Sequence, residues 1–201
     1  MRKNIFAGKR IEGVLGICLL FVFLTGCGEV QLQDGTNLEL MKDGSVTVTY
    51  IEEFPSDYYD ISELQAMNEE EVAEYNQQKG EDVVEVLSTE TDGSKLTLVM
   101  SYKDIEDYGS MNNVQTFSGT VGQARALGYD LNKSFISIKD GEKTTDINWE
   151  DLESHHILIS NELSTIHTFK NIEYVTENVV MSDNKKMATI TGEGQAVIVF
   201  K

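Results

Sequence analysis

At 201 residues, with 40% hydrophobic and 25% charged side chains, the chain has the composition of a globular protein, which excludes wholesale disorder. Its 16 basic residues face 34 acidic ones, and with no basic patch to displace counterions from phosphates, nucleic acid is excluded as a partner. Both cysteines, Cys18 and Cys27, fall within the first 27 residues, so the remainder offers no thiol for a disulfide, a catalytic cysteine or a cysteine-rich zinc site.

Arg2, Lys3, Lys9 and Arg10 precede an uncharged apolar run of 11 residues, Val14 to Leu24. A basic segment before a short apolar one is the pattern of an export signal. A spanning helix needs about 20 apolar residues, and the polar stretch from Gly28 and Glu29 stops this one short. The run closes on Leu24-Thr25-Gly26-Cys27, which resembles the lipobox of bacterial prolipoproteins: an aliphatic residue, two small residues, then the cysteine. That resemblance implies diacylglycerol on Cys27, cleavage before it, and a membrane-anchored protein facing the extracytoplasmic side. Two acyl chains suffice for stable anchoring, where one is marginal. Cys18, inside the apolar run, reads as a passive hydrophobe.

On this reading residues 1–26 are a lipoprotein signal peptide and 27–36 the lipidated N-terminus and tether. Residues 37–201 are a single α+β extracytoplasmic domain, with a topological sub-boundary suspected near 130. Losing Arg2, Lys3, Lys9, Arg10 and Glu12 leaves 12 basic against 33 acidic side chains, a formal charge of −21. Such acidity suits solubility in an exposed compartment, and also capture of a cation or a basic partner.

Asn37 to Lys42 and Ser45 to Glu52 flank Asp43-Gly44, and Val46, Val48 and Tyr50 alternate with Thr47, Thr49 and Ile51. This predicts a hairpin with both central turn residues at positive φ. After Pro55, Asp60-Ile61-Ser62-Glu63 offers a capping box, and Ile61, Leu64, Met67 or Asn68, Val72 and Tyr75 keep helical spacing up to Gly80. One amphipathic helix over about 60–79 is predicted, with a second box at Asn68 to Glu71 leaving open a break. Asp82 to Glu90 and Ser94 to Tyr102 repeat the hairpin around Asp92-Gly93. Ser118 to Gly128 is expected to form a short helix capped by Ser118.

From Lys133 onward short strands are predicted at 134–139, 142–147, 155–160, 165–169, 172–180, 186–191 and 195–200, with turns at Asp140-Gly141 and Ser182-Asp183-Asn184. Short strands at this spacing suggest an antiparallel sheet or sandwich.

Few residues suggest chemistry. If 155–160 and 164–169 pair as a hairpin, His155 or His156 meets His167, and with Glu153 or Glu162 such a set suits zinc. Neighbouring histidines on a strand point to opposite faces, so only one of the two joins. The stretch Glu52-Glu53-Phe54-Pro55-Ser56-Asp57-Tyr58-Tyr59-Asp60 mixes carboxylates with aromatics, the ingredients for stacking a sugar or for paired-acid glycoside hydrolysis. The plainer reading makes Phe54 and one tyrosine a staple while the acids stay solvated. Glu69-Glu70-Glu71 reads as a solvated helix face. Asp140-Gly141-Glu142 lacks the regular oxygen ligands of a calcium loop. Trp149 reads as a core anchor, and Phe117 to Gly122 lacks the lysine of a phosphate loop.

No residue is singled out as catalytic, metal-binding or cofactor-binding; Cys27, for lipidation, is the one site expected. The resulting expectation is a membrane-anchored, non-enzymatic module that binds a protein, glycan or cation. The alternatives are a hydrolase of envelope or extracellular polymer using paired carboxylates, and a lipid carrier.

Overall fold

The computed structural model describes residues 32–54 and 60–201. The signal segment, Cys27, most of the tether and Pro55 to Tyr59 lie outside those residues.

Hairpin chemistry dominates the first half. Strand β1 (Gly35–Leu40) pairs antiparallel with β2 (Val46–Glu53), placing Leu40 opposite Val46 and Leu38 opposite Val48. The intervening loop runs from Met41 to Ser45, and only Gly44 there has positive φ. Asp43 instead accepts from the Ser45 backbone N–H at 3.1 Å. The side chain thus does the turn's work, and the expected two-residue Asp-Gly turn gives way to a longer loop. At the second hairpin β3 (Val84–Asp92) pairs with β4 (Lys95–Tyr102), with Asp92 opposite Lys95. The turn there is Gly93-Ser94, positive φ falling on its first residue, which only glycine accepts freely.

Between these hairpins lies α1 (Ile61–Lys79), continuous through Asn68, with the Asp60 side chain accepting from the Ser62 N–H and Gly80 closing it at φ 75°. Its expected apolar stripe is only partly covered. Val72 is buried while Met67 is 60% exposed. The helix is fastened instead by Asn76, whose Oδ1 accepts from the Val83 and Val84 N–H groups and whose Nδ2 donates to the Val84 carbonyl.

The sequence reading missed α2 (Ile105–Asn112), capped by Asp104 and ended by Asn113 in the left-handed region. The segment expected to be a helix from Ser118 divides into β5 (Thr116–Thr120) and α3 (Val121–Ala126). Its cap is Thr120, in a reciprocal box with Gln123, because Ser118 is still paired to Leu158 in a ladder.

The C-terminal half supplies β6 (Phe135–Ser137), β7 (Lys143–Thr144), β8 (His156–Ser160), β9 (Thr165–His167), β10 (Ile172–Thr176), β11 (Val179–Met181), β12 (Met187–Ile190) and β13 (Ala196–Phe200). The single strand expected over 172–180 breaks at Glu177-Asn178, and its two pieces enter different sheets.

One sheet has the order β11-β12-β9-β1-β2-β4-β3 and the other β5-β8-β13-β10-β6-β7. The first is mixed rather than purely antiparallel, because β1 and β9 run parallel, Leu38 opposite Ile166. Strands from before and after residue 130 share both sheets, so that position does not separate them. The fold is α+β with sheet predominating.

Two cores follow from alternation. Leu38, Leu40, Val46, Val48, Met100 and Tyr102 on the first sheet meet Leu158, Val175, Ile198 and Phe200 on the second. The second sheet's other face, with Ile157, Ile159, Val197 and Val199, packs under Val121 and Ala124 of α3 and against Phe135. Trp149 meets Phe135 edge to face at 5.1 Å, so it anchors this smaller core. Strand β13 is buried along its whole length, which is why it reads as an unbroken β-branched and aromatic run.

Candidate functional site

A cavity of about 250 Å3 lies between α1, the inner face of β2 and β4, and the end of α2. Alternation puts Tyr50 and Glu52 of β2 beside Leu98 and Leu96 of β4, with Met100 and Tyr102 further along the same face. Leu64, Asn68 and Glu71 arrive from one side of α1, at the helical spacing of four and three, and α2 contributes Met111 and Asn112.

Its polar wall is a connected network. The Tyr50 hydroxyl donates to Asn112 Oδ1 at 3.3 Å. Asn112 Nδ2 donates to the Tyr102 oxygen at 3.2 Å and to the Tyr108 carbonyl at 2.9 Å, and the Tyr102 hydroxyl donates to Met100 Sδ at 3.5 Å. Behind this layer the Tyr102 and Tyr108 rings meet edge to face at 5.2 Å. The Tyr108 hydroxyl donates to Glu162 Oε2 at 2.5 Å. Burial first, then a neighbouring tyrosine (Tyr102 beside Tyr50, Tyr50 beside Tyr108) and after it Glu162, hold the Tyr50 and Tyr108 hydroxyls well above their ordinary pKa. They stay protonated at neutral pH and serve as hydrogen-bonding groups, not as bases.

One polar atom in this region is unsatisfied. Asn68 Nδ2 is cut off from solvent and has no hydrogen-bond partner among the described residues. Asn68 was read as an alternative to Met67 on the helical stripe and as the start of a second capping box, and α1 runs through it unbroken.

Burial also raises the Glu162 carboxyl above its ordinary value of 4.5, against the opposing pull of the Tyr108 hydrogen bond. The folded chain therefore keeps a proton that the unfolded chain releases near that value. The stability this gives is full below about pH 4.5 and is lost as pH rises through the folded-state value. Glu162→Gln keeps an acceptor for Tyr108 and removes the titration. The variant is expected to match wild type near pH 3.5 and to melt progressively higher than wild type as pH rises toward 7. A pH-independent difference in melting temperature would contradict this assignment.

The histidines do not converge. Strand β8 lies between β5 and β13, whereas β9 lies between β12 and β1 in the other sheet, so the expected hairpin of 155–160 with 164–169 does not form. His155 Nε2 lies 3.1 Å from Glu173 Oε2, and His156 stacks on Phe200 at 5.3 Å. His167, buried in β9, keeps Nε2 without a partner among the described residues. Glu153 pairs with Arg125 at 3.2 Å and Glu162 with Tyr108. Among the described residues no group of three or more His, Cys, Asp or Glu side chains is placed to hold a metal ion.

Of the acidic stretch from Glu52, the structure describes Glu52, Glu53, Phe54 and Asp60. Phe54 is buried, as a staple requires, and Glu52 and Glu53 are exposed. Glu52 reaches the rim of the cavity, and so does Glu71 of the triplet Glu69 to Glu71. The two acidic segments noted in the sequence thus meet at one opening.

No family model, no curated protein and no solved structure matches this chain. The site is therefore read from its own geometry. Tyr102, Tyr108 and Asn112 were not singled out in the sequence, though Asp104-Ile105-Glu106-Asp107, an N-cap with an acid three residues on, marked the helix that carries two of them.

A further, open depression of about 1370 Å3 runs along the other side of α1 beside β3. Its central amide, Asn76, is already committed to Val83 and Val84. Among the described residues no helix is long and apolar enough to cross a membrane.

Proposed function

We propose that the chain is an exported lipoprotein, anchored to a membrane by lipid on Cys27, whose extracytoplasmic domain binds a small solute in the cavity between α1, β2, β4 and α2. The anchor half of this reading rests on Leu24-Thr25-Gly26-Cys27 at the end of the apolar run. The binding half rests on the cavity's lining, where Leu64, Leu96, Leu98 and Met111 stand beside the rings of Tyr50 and Tyr102. Aromatic and aliphatic walls with a few polar groups are the usual lining of such sites.

A binding role without catalysis fits the residues present. The lining of Tyr, Glu, Leu, Met and Asn carries no hydroxyl or thiol beside a basic group, as an activated nucleophile needs. Paired-acid hydrolysis needs one carboxyl that keeps its proton. The acids whose carboxyls burial raises are Glu39 and Glu162, and neither is among the lining residues. The volume of about 250 Å3 lies below the roughly 300–1,000 Å3 of sites for drug-sized ligands, which favours a small solute over a lipid.

The reading is tested by thermal melting of the full chain in nonionic detergent against a panel of amines, amino acids, sugars and nucleosides. A ligand at 100 times its Kd stabilises by about 2.7 kcal/mol, so one class is expected to raise the midpoint by roughly 5–10 °C. Leu98→Phe, which fills the cavity, should abolish that shift. A shift that survives Leu98→Phe, or no shift from any class, contradicts the reading.

A further inference from the structure

We propose that a separate, open cleft, between α2, the residue after α3 and the segments that lead into β5 and β13, binds a stretch of a neutral glycan chain. The inference is independent of the solute cavity described above.

The cleft has a volume of about 330 Å3, at the lower end of the roughly 300–1,000 Å3 of small-molecule sites. Its backbone frame is pinned. The Thr116 hydroxyl donates to the Ile105 carbonyl at 3.0 Å, tying β5 to α2, and the Val114 N–H donates to the Gly109 carbonyl at 2.9 Å. Asn161, beyond the end of β8, holds Gln115 twice: its Oδ1 accepts from the Gln115 N–H at 3.1 Å and its own N–H donates to the Gln115 carbonyl at 3.3 Å. A Cβ at position 109 would stand 2.5 Å from Thr116 Oγ1 and 2.7 Å from the Val114 carbonyl oxygen, so only glycine lets α2 sit this close to the start of β5.

On this fixed frame the side chains are left open. The Gln115 amide and the Ser110 and Tyr129 hydroxyls make no hydrogen bond among the described residues, and the Glu106 carboxylate makes neither hydrogen bond nor ion pair there. Gln195 is half committed: its Oε1 accepts from Lys133 Nζ at 2.8 Å, which leaves Nε2 to donate. Singly, exposed polar side chains are ordinary solvated groups. These come from four separate segments to one concavity, beside Val114 and the half-buried ring of Tyr129, which is braced on Phe117 at 4.9 Å.

The inventory sets the ligand class. Amide and hydroxyl groups both donate and accept, Gln195 Nε2 adds a donor and Glu106 an acceptor, and this mixture matches sugar hydroxyls, each of which does both. No Lys, Arg or His lines the cleft, so it does not suit phosphates or acidic sugars. Tyr129 and Val114 supply an apolar surface for the C–H face of a sugar ring. Because the cleft is open, a bound chain can continue out of it on either side.

The test uses the full chain carrying 3-fluorotyrosine, in a polyoxyethylene detergent that contains no sugar, with 19F signals assigned by Tyr129→Phe and Tyr50→Phe. The probes are cellotetraose, maltotetraose and chitotetraose, with tetragalacturonate as the acidic counterpart; tetrasaccharides are chosen because an open cleft holds a lone ring weakly. At least one neutral chain is expected to move the Tyr129 signal and leave Tyr50 in place, with an affinity indifferent to salt, since no charge pair forms. Gln115→Ala with Gln195→Ala should weaken that binding about tenfold, the loss of two neutral hydrogen bonds, without moving the other tyrosine signals of the free protein. No response of Tyr129 to any neutral chain, undiminished binding by the double variant, or equal binding of tetragalacturonate would overturn the inference. A response confined to Tyr50 would also overturn it, and would place the ligand in the solute cavity.

Discussion

Phe200→Ala is expected to destabilise the fold by about 3–5 kcal/mol, the cost of emptying a large site in a packed core. Phe200 is 1% exposed on β13, inside the core shared by both sheets. Its ring stacks on His156 and meets Phe169 edge to face, both at 5.3 Å. Removing it leaves those two rings facing a void that the flanking β8 and β10, each hydrogen-bonded to β13, hold open. For a domain of this size the midpoint of thermal unfolding should fall by about 10–15 °C. Leu127→Ala, at a site 68% exposed, should stay within about 0.5 kcal/mol of wild type. A fall of only a few degrees for Phe200→Ala would show that β13 is not the strand joining the two sheets into one core.

Local chemistry made part of this fold legible. The hairpins at Asp43-Gly44 and Asp92-Gly93 could be read because alternating strands flank glycines that reach positive φ, even though the turns differ from the two-residue Asp-Gly form. Helix α1 could be read because Asp60 and Gly80 mark its ends. Helix α2 was hidden because Gly109 and Ser110 sit inside its eight residues, where propensity is poor. What holds it is packing: Tyr108 is fully enclosed and Ile105 is buried.

Long-range pairing was the other blind spot. Nothing in residues 165–167 announces that they run parallel to β1, or that the expected histidine hairpin opens into two sheets. The same limit applied to the cavity. Tyr50, Asn68, Glu71 and Asn112 are unremarkable in their own segments, and their meeting depends on the register that sets Tyr50 opposite Leu98 and on α1 crossing that face. The acidic segments at Glu52 and at Glu69 to Glu71 were noticed separately; only the tertiary structure brings one residue from each to a common rim.

The second large effect concerns the anchor. On the proposed reading, lipobox processing would replace the signal segment with two acyl chains at Cys27; each buried methylene contributes about 0.8 kcal/mol to membrane attachment, so two chains hold a protein where one does not. Cys27→Ser would remove the sulfur proposed to accept the lipid, and Cys18, preceded by Gly16-Ile17, lacks the pair of small residues that stands before Cys27. The fold beyond the tether has no part in the modification, so loss of anchoring should leave its melting behaviour unchanged.

The decisive measurement is metabolic labelling with an alkyne-bearing palmitate analogue, read together with intact mass, for wild type and Cys27→Ser expressed in bacteria. The account predicts that wild type is labelled, membrane-bound and begins at Cys27, whereas Cys27→Ser is unlabelled and retains the precursor's mass. Equal labelling of Cys27→Ser, or an unlabelled wild-type protein that begins at another residue, would contradict it.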